Sequence, residues 1–443
     1  MDESAAIELA REAVAIARAS GAESAEASLS IARRFHAEAR EKAVSKLEDS
    51  TGKSLYVRVF RNGRKATLTT SDFSPQGLRD AAARAVAQID FVAADECAGL
   101  PDEVCDGSAQ LGLHDPQVAE RELGERVEDA LALERLIREA DSRVVNSSGS
   151  HYTDAVAVTA IANSTGFAAA YAWTRVGRST GPVALDGEVK RIAQYGTAAR
   201  YLGELEGPDS VAATAVRRAV DLFGARKPPT MRVPVIFERD VAATVLDDIF
   251  AAVSGANVAV GNSWLTGSLG NRIGSELLNV IDDGRLHARL GSAPFDGEGV
   301  ATRRTPVFER GLLRTFLYDT YYARKMGAAT TGNSTGGGVG PTNFYLEPGS
   351  ISLDELVAST TRGVLVLDTI GFATEHASGT YSRGARGFYI EGGELAYPID
   401  EFTVAGQYAE MLAGIDAVAN DLRFDGPVVS PSFRVAEMTV SGN

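Results

Sequence analysis

The residues with the clearest chemical potential lie in the second half of the chain, where Asp296 and Glu298 alternate with Gly297 and Gly299 inside the run Ser292 to Thr302. Two carboxylates two residues apart can share a proton-transfer task or hold a hard cation. Flanked by glycines, they can equally form a polar turn. A second run, from Thr331-Gly332-Asn333-Ser334 through Gly336-Gly337-Gly338-Val339-Gly340-Pro341-Thr342-Asn343, lacks the Gly-Lys-Ser/Thr of a phosphate-binding loop. Its bare backbone could lie against an extended peptide, or it could be a plain surface loop.

Other nucleophile and ligand patterns are missing. His36, His114, His151, His287 and His376 include no pair at the short helical spacings of a local zinc site, so each reads as a surface or strand histidine. Asn146-Ser147-Ser148-Gly149-Ser150 resembles a serine-hydrolase elbow only superficially. Cys97 and Cys105 match neither a zinc knuckle nor a redox Cys-x-x-Cys pair and read as free thiols.

The elements that must carry these residues follow from periodicity. Apolar residues at helical spacing predict a helix from Glu3 to Ala19, and alternation predicts strands over Glu26 to Arg40 and Ser54 to Thr70. Asn62-Gly63 marks a tight turn, giving a hairpin from Leu55 to Leu68. Helices are expected at Ser74 to Gln88, Pro116 to Ala140 and Asp209 to Gly224, with antiparallel strands joined at Asn163-Ser164-Thr165-Gly166. Lys227-Pro228-Pro229-Thr230 is the best linker candidate. Beyond it come a strand from Val233, a helix from Val241 to Val253 with Asp240 as expected N-cap, and short glycine-punctuated strands. Among these, Gly379 to Ile399 reads as a hairpin over Gly392-Gly393 or as plain β-meander, and Ser430-Pro431-Ser432 turns into a last strand. The expected fold is α+β in two domains: residues 1–227 with a mixed sheet and flanking helices, and residues 228–443, largely antiparallel β with few helices.

At 443 residues, 44% hydrophobic and 23% charged, the chain is long enough for two or three folded domains. A net charge of -15 and a pI near 5.0 argue against nucleic acid and anionic membrane as partners. The doublets Arg33-Arg34, Arg217-Arg218 and Arg303-Arg304 are too isolated to reverse that. The start Met1-Asp2-Glu3-Ser4 lacks a signal-peptide pattern and no segment is apolar enough to span a bilayer, so a cytoplasmic location is expected.

Taken in order, Phe295 to Thr302, Phe316 to Lys325, Thr331-Gly332-Asn333 and Asn420-Asp421-Leu422-Arg423 resemble the TldD/PmbA family, closest to its PmbA (TldE) branch, and the resemblance covers nearly the whole chain. It implies a two-domain fold and a cytoplasmic assembly in which a TldD subunit and a TldE subunit together process peptides. In the TldD branch a His-Glu-x-x-x-His segment on the first helix of the C-terminal domain, with a distant cysteine, holds zinc. Here Asp247 and Ala252 stand at the two histidine positions and Asp248 at the glutamate position, and the stretch Gly379 to Gly393 has no cysteine. The resemblance therefore implies a non-catalytic subunit with no cofactor of its own, zinc in a TldD-like partner, and an unfolded peptide as substrate. A homodimer of the isolated chain is a further expectation. Phe295, Asp296, Glu298, Gly299, Asn333, Gly340 and Asn343 are the candidate peptide-binding residues. Two alternatives stay open: an autonomous peptidase using Asp247, Asp248, Asp296 or Glu298 with a hard metal, and a peptide-binding regulatory protein without turnover.

Overall fold

Helix Glu3–Ala19 starts at Asp2, whose side chain caps the Ala5 amide, and buries Ala6, Ala10, Ala13, Val14 and Ala17. These small residues let the helix settle closely on a sheet. Helix Pro75–Ile89, capped by Ser74, joins it there. The computed structural model describes residues 2–371 and 374–442; Met1 and Asn443, the outer ends of the two expected domain spans, lie outside the described residues, as do Phe372 and Ala373.

The first sheet has the order 64–70, 43–61, 24–40, 144–163, 168–186, 189–192, with 195–199 also paired to 168–186. All its pairings are antiparallel. Side chains alternate between faces along a strand. On strand Ser24–Arg40, Ala25, Ala27 and Leu29 pack beneath the first two helices. Further along the same face, Phe35, Ala37 and Ala39 meet Val118 and Ala130 of the next helices. The even-numbered side chains of that strand therefore point to the opposite face.

Two local expectations need correction. The helix foreseen over Pro116 to Ala140 is two pieces, Pro116–Ala119 and Leu123–Ala140, because Glu122 turns to extended backbone and restarts the helix. The strand beginning at Ala43 is far longer than the expected hairpin arm. Its residues 43–53 are exposed on both faces, so no hydrophobic alternation betrays them. The turn at Asn62-Gly63 is as expected, with φ of 51° and 68°.

In the second half, strands Met231–Phe237, Phe433–Ser441, Glu394–Gln407, Thr380–Glu391 and Arg362–Ile370 pair in sequence and close back on the first. Helix Arg239–Val253 shares a core with this ring, Val245, Ile249 and Ala252 clustering with Val235, Phe237 and Val404. Its N-cap is Glu238, not Asp240: the Glu238 carboxylate accepts from the Asp240 amide at 3.0 Å because the helix begins directly at the strand end. A five-stranded sheet built on Val280–Asp283, Arg304–Glu309 and Phe344–Leu346 supports the glycine-bearing segments. The architecture is α+β, as expected. Among the described residues, no helix is long and apolar enough to cross a membrane.

Candidate functional site

Two places collect the predicted site residues. The first is helix Arg239–Val253. Its sequence Asp247-Asp248 puts one carboxylate outward and the next inward. Asp247 is exposed. Asp248 Oδ2 accepts from Arg383 Nη2 at 2.6 Å and from the Tyr408 hydroxyl at 2.5 Å, while Arg383 Nη1 donates to Thr244 at 3.3 Å. Charge-assisted bonds of this length hold both partners in one geometry. Trp264 stacks on the Tyr408 ring at 6.1 Å, and burial raises the pKa of the neighbouring Tyr381 hydroxyl. Ala252 is 0% exposed in the core. Tetrahedral zinc asks for imidazole, thiolate or carboxylate groups converging on one point. Here one position faces solvent, one is held by a guanidinium and one is a buried methyl, so these residues do not fit a zinc ion.

The second place is the junction between the first sheet and the glycine-bearing segments. Phe295 inserts its ring edge-to-face against Phe167 and Tyr171, both at 5.3 Å. Gly299, at φ +84°, lies against Phe167; a Cβ there would come within 2.6 Å of that ring, so glycine permits the approach. Asp296 Oδ1 accepts from the Glu298 and Val300 amides at 2.9 and 3.0 Å, and its Oδ2 from the Ser334 amide at 2.9 Å. Burial, reinforced by the Glu298 charge, nevertheless pushes its pKa up to about 7. Glu298 accepts from the Thr320 amide at 3.1 Å. Asn333 donates to Asp282 at 2.7 Å and to the Gly340 carbonyl at 3.1 Å.

Asn343 needs a correction. It is 0% exposed, its amide donates to Asp283 O and Ser292 Oγ at 2.6 and 2.8 Å, and its carbonyl accepts from Gly291 N at 3.0 Å. Its polar atoms are spent on the scaffold, which makes it an anchor of the loop rather than a residue that reaches a peptide.

Phe295, Asp296, Asn333 and Gly340 line a cavity of about 250 Å³ together with Ser28 and Thr159 of the first sheet. Glu298 lines another, of about 270 Å³, with Arg58, Lys65, Asp319, Tyr321 and Gly337. Beside it, buried Glu26 pairs with Arg58 at 3.0 Å; burial outweighs that attraction and lifts the glutamate to about 7. Glu26, Arg58 and Lys65 escaped the sequence reading because they sit on strands hundreds of positions away from Glu298. Arg383 and Tyr408 escaped for the same reason, although Arg383 lies in the expected hairpin. Likewise the histidines are not all isolated: His36 and His151 meet across two strands, their rings stacked with centroids 5.3 Å apart.

A helix-backed antiparallel sheet followed by a closed strand ring that shares its core with the helix Arg239–Val253 defines the α+β class of this protein. The chain matches the PmbA/TldA metallopeptidase family over all three of its parts: domain 1 at residues 25–89, the central domain at 116–223 and the C-terminal domain at 230–442. It is 30% identical to a metalloprotease PmbA homolog of Haemophilus influenzae over 97% of this chain and 95% of that one. With metalloprotease PmbA of Escherichia coli O157:H7 the identity is 31% over 90% and 88%. The fold is similar to that of a protein described as a modulator of DNA gyrase from Bacteroides thetaiotaomicron, at TM-score 0.92 and 25% identity over 98% of each chain. TldE from Thermococcus kodakarensis is similar in fold alone, at TM-score 0.88 and 21% identity, over 98% of this chain and 100% of that one. This chain belongs to the PmbA/TldD family, in its PmbA (TldE) branch.

Proposed function

We propose that this chain is the TldE-like subunit of a cytoplasmic peptide-processing metallopeptidase, lacking the family's catalytic zinc and guiding unfolded peptide to the zinc of a TldD-like partner. The observation that carries the reading is the clamp on Asp248: the helix that would present the zinc ligands instead commits its inward carboxylate to Arg383 and Tyr408. A residue that must ligate or activate water cannot also be the fixed partner of a buried arginine. The junction offers the peptide route. Gly337 is exposed beside the 270 Å³ cavity, with no atom within 4 Å of where its side chain would start, so its backbone is approachable by an extended strand.

Reading the chain as an autonomous carboxylate peptidase has less support, since Asp296 spends both oxygens on backbone amides. The discriminating experiment measures peptide hydrolysis by the isolated chain, by a TldD-like homologue carrying His-Glu-x-x-x-His, and by the two mixed. The isolated chain is expected to cleave nothing and the mixture to outpace the homologue alone. Turnover by the isolated chain that vanishes in Asp248→Asn would overturn the proposal.

A further inference from the structure

On the face of the first sheet opposite the helix Glu3–Ala19, strand Ser24–Arg40 places His36 and Glu38 two residues apart, and strand Val144–Asn163 places His151 directly opposite Glu38. His36 Nε2 and His151 Nδ1 lie 3.1 Å apart, and one ligand atom from each of the three residues falls within 4.8 Å of the others. All three side chains are half-buried. The close nitrogen pair has two chemical readings: one ring donates an N–H to the other, or both lone pairs converge on one cation. The carboxylate completing the cup favours the second. Two neutral imidazoles and a carboxylate, with one side open to water, are a donor set suited to zinc.

The surroundings fit this reading. The remaining ring nitrogen of His36, Nδ1, faces the Glu48 carboxylate at 3.7 Å, the position of an outer carboxylate that orients a metal-bound imidazole. Ser45 donates to Glu38 Oε1 at 2.8 Å and so fixes the carboxylate. Gly149 keeps the cup open: a Cβ there would come within 2.9 Å of His151 Nε2 and 3.2 Å of the Glu38 side chain. The nearby Lys46 ammonium is paired with Glu48 at 3.0 Å.

We propose that His36, His151 and Glu38 form a divalent transition-metal site, zinc being its best match, on the N-terminal sheet and separate from the helix Arg239–Val253. The metal clasps two neighbouring strands at the end of the sheet that carries the exposed hairpin arm 43–53. Nothing in this inference depends on the peptide-guiding role, because site and readout are both in this chain.

The test strips the purified full-length chain with a chelator and titrates it with Co²⁺, followed by its visible absorption, and with Zn²⁺, followed by thermal unfolding. One equivalent of Co²⁺ with nitrogen-ligated absorption is expected, together with a Zn²⁺-dependent rise in Tm. His36→Gln/His151→Gln should bind more than about tenfold more weakly and lose the Tm rise, with far-UV circular dichroism confirming that it folds. Glu48→Gln should weaken binding by roughly tenfold, as expected for an outer-shell partner, and His287→Gln should change nothing. Absence of a stoichiometric Co²⁺ site in the parent chain, or undiminished binding by the folded double variant, would overturn the proposal.

Discussion

The helix Arg239–Val253 and the domain junction both bury carboxylates, yet they neutralise them differently. At Asp248 a guanidinium and a tyrosine hydroxyl converge on one carboxylate oxygen. At the junction, Asp296 is held by backbone amides alone, and Glu26 by a single arginine. Both junction acids are lifted to about 7. The first arrangement is a fixed charge pair that locks a helix onto a strand. The second leaves protons exchangeable near neutral pH, at the place where peptide is proposed to pass.

The sharpest way to break this contrast is Asp248→Ala. Removing one member of a buried pair leaves the other charge to bear its desolvation, so a loss of ~3–5 kcal/mol is expected in denaturant unfolding. The double replacement Asp248→Leu/Arg383→Met should recover much of that, because it removes both charges. A single variant as stable as the parent would mean that the clamp is not structural, and the comparison would collapse.

Next in size is a pH effect. Folding raises the Glu26 carboxyl from 4.5 to about 7, so between those values the folded chain holds a proton that the unfolded chain has released. Stability from this group is therefore greatest below that window and falls as pH rises through it. A shift of this size corresponds to at most ~3 kcal/mol. Glu26→Gln keeps an acceptor for Arg58 and removes the titration. Denaturant midpoints of this variant, compared at about pH 5 and about pH 8, should differ less than those of the parent. An unchanged difference would assign the pH dependence to other groups, Asp296 first.

The two regions also differ in how much of them the sequence discloses. The helix Glu3–Ala19, the Asn62-Gly63 turn and the Gly392-Gly393 hairpin are written locally, in apolar spacing and in residues that accept positive φ. The positions Asp247, Asp248 and Ala252 are legible too, because one helix carries them together. What holds Asp248 there is not: Arg383 and Tyr408 stand 135 and 160 residues from it, and no local pattern links them. The same holds for His36 and His151, 115 residues apart, which meet only through strand register. Exposed strand 43–53 was hidden for a different reason, having no buried face to impose alternation.

Glycines at the junction allow a finer test, since two that look alike in sequence sit in opposite surroundings. A Cβ on Gly297 would meet the Gly336 nitrogen at 2.2 Å, backbone against backbone, so Gly297→Ala must push the two segments apart. That overpacking is expected to cost about 1–3 kcal/mol in denaturant unfolding. A parent-like midpoint would show that the segments separate freely.

Gly337 has no neighbour within 4 Å of its would-be Cβ and no positive φ that would strain alanine. Gly337→Ala should therefore leave stability within about 0.5 kcal/mol of the parent. Because the methyl group projects beside the cavity lined by Glu298, Lys65 and Tyr321, the same variant should slow peptide hydrolysis by the reconstituted pair if backbone contact guides the peptide there. Stability and turnover measured together separate the possibilities: a stable variant with reduced turnover ties the loop to peptide handling. A stable variant with parent-like turnover would move the peptide path away from the glycine run, while leaving the Asp248 clamp, and the contrast built on it, intact.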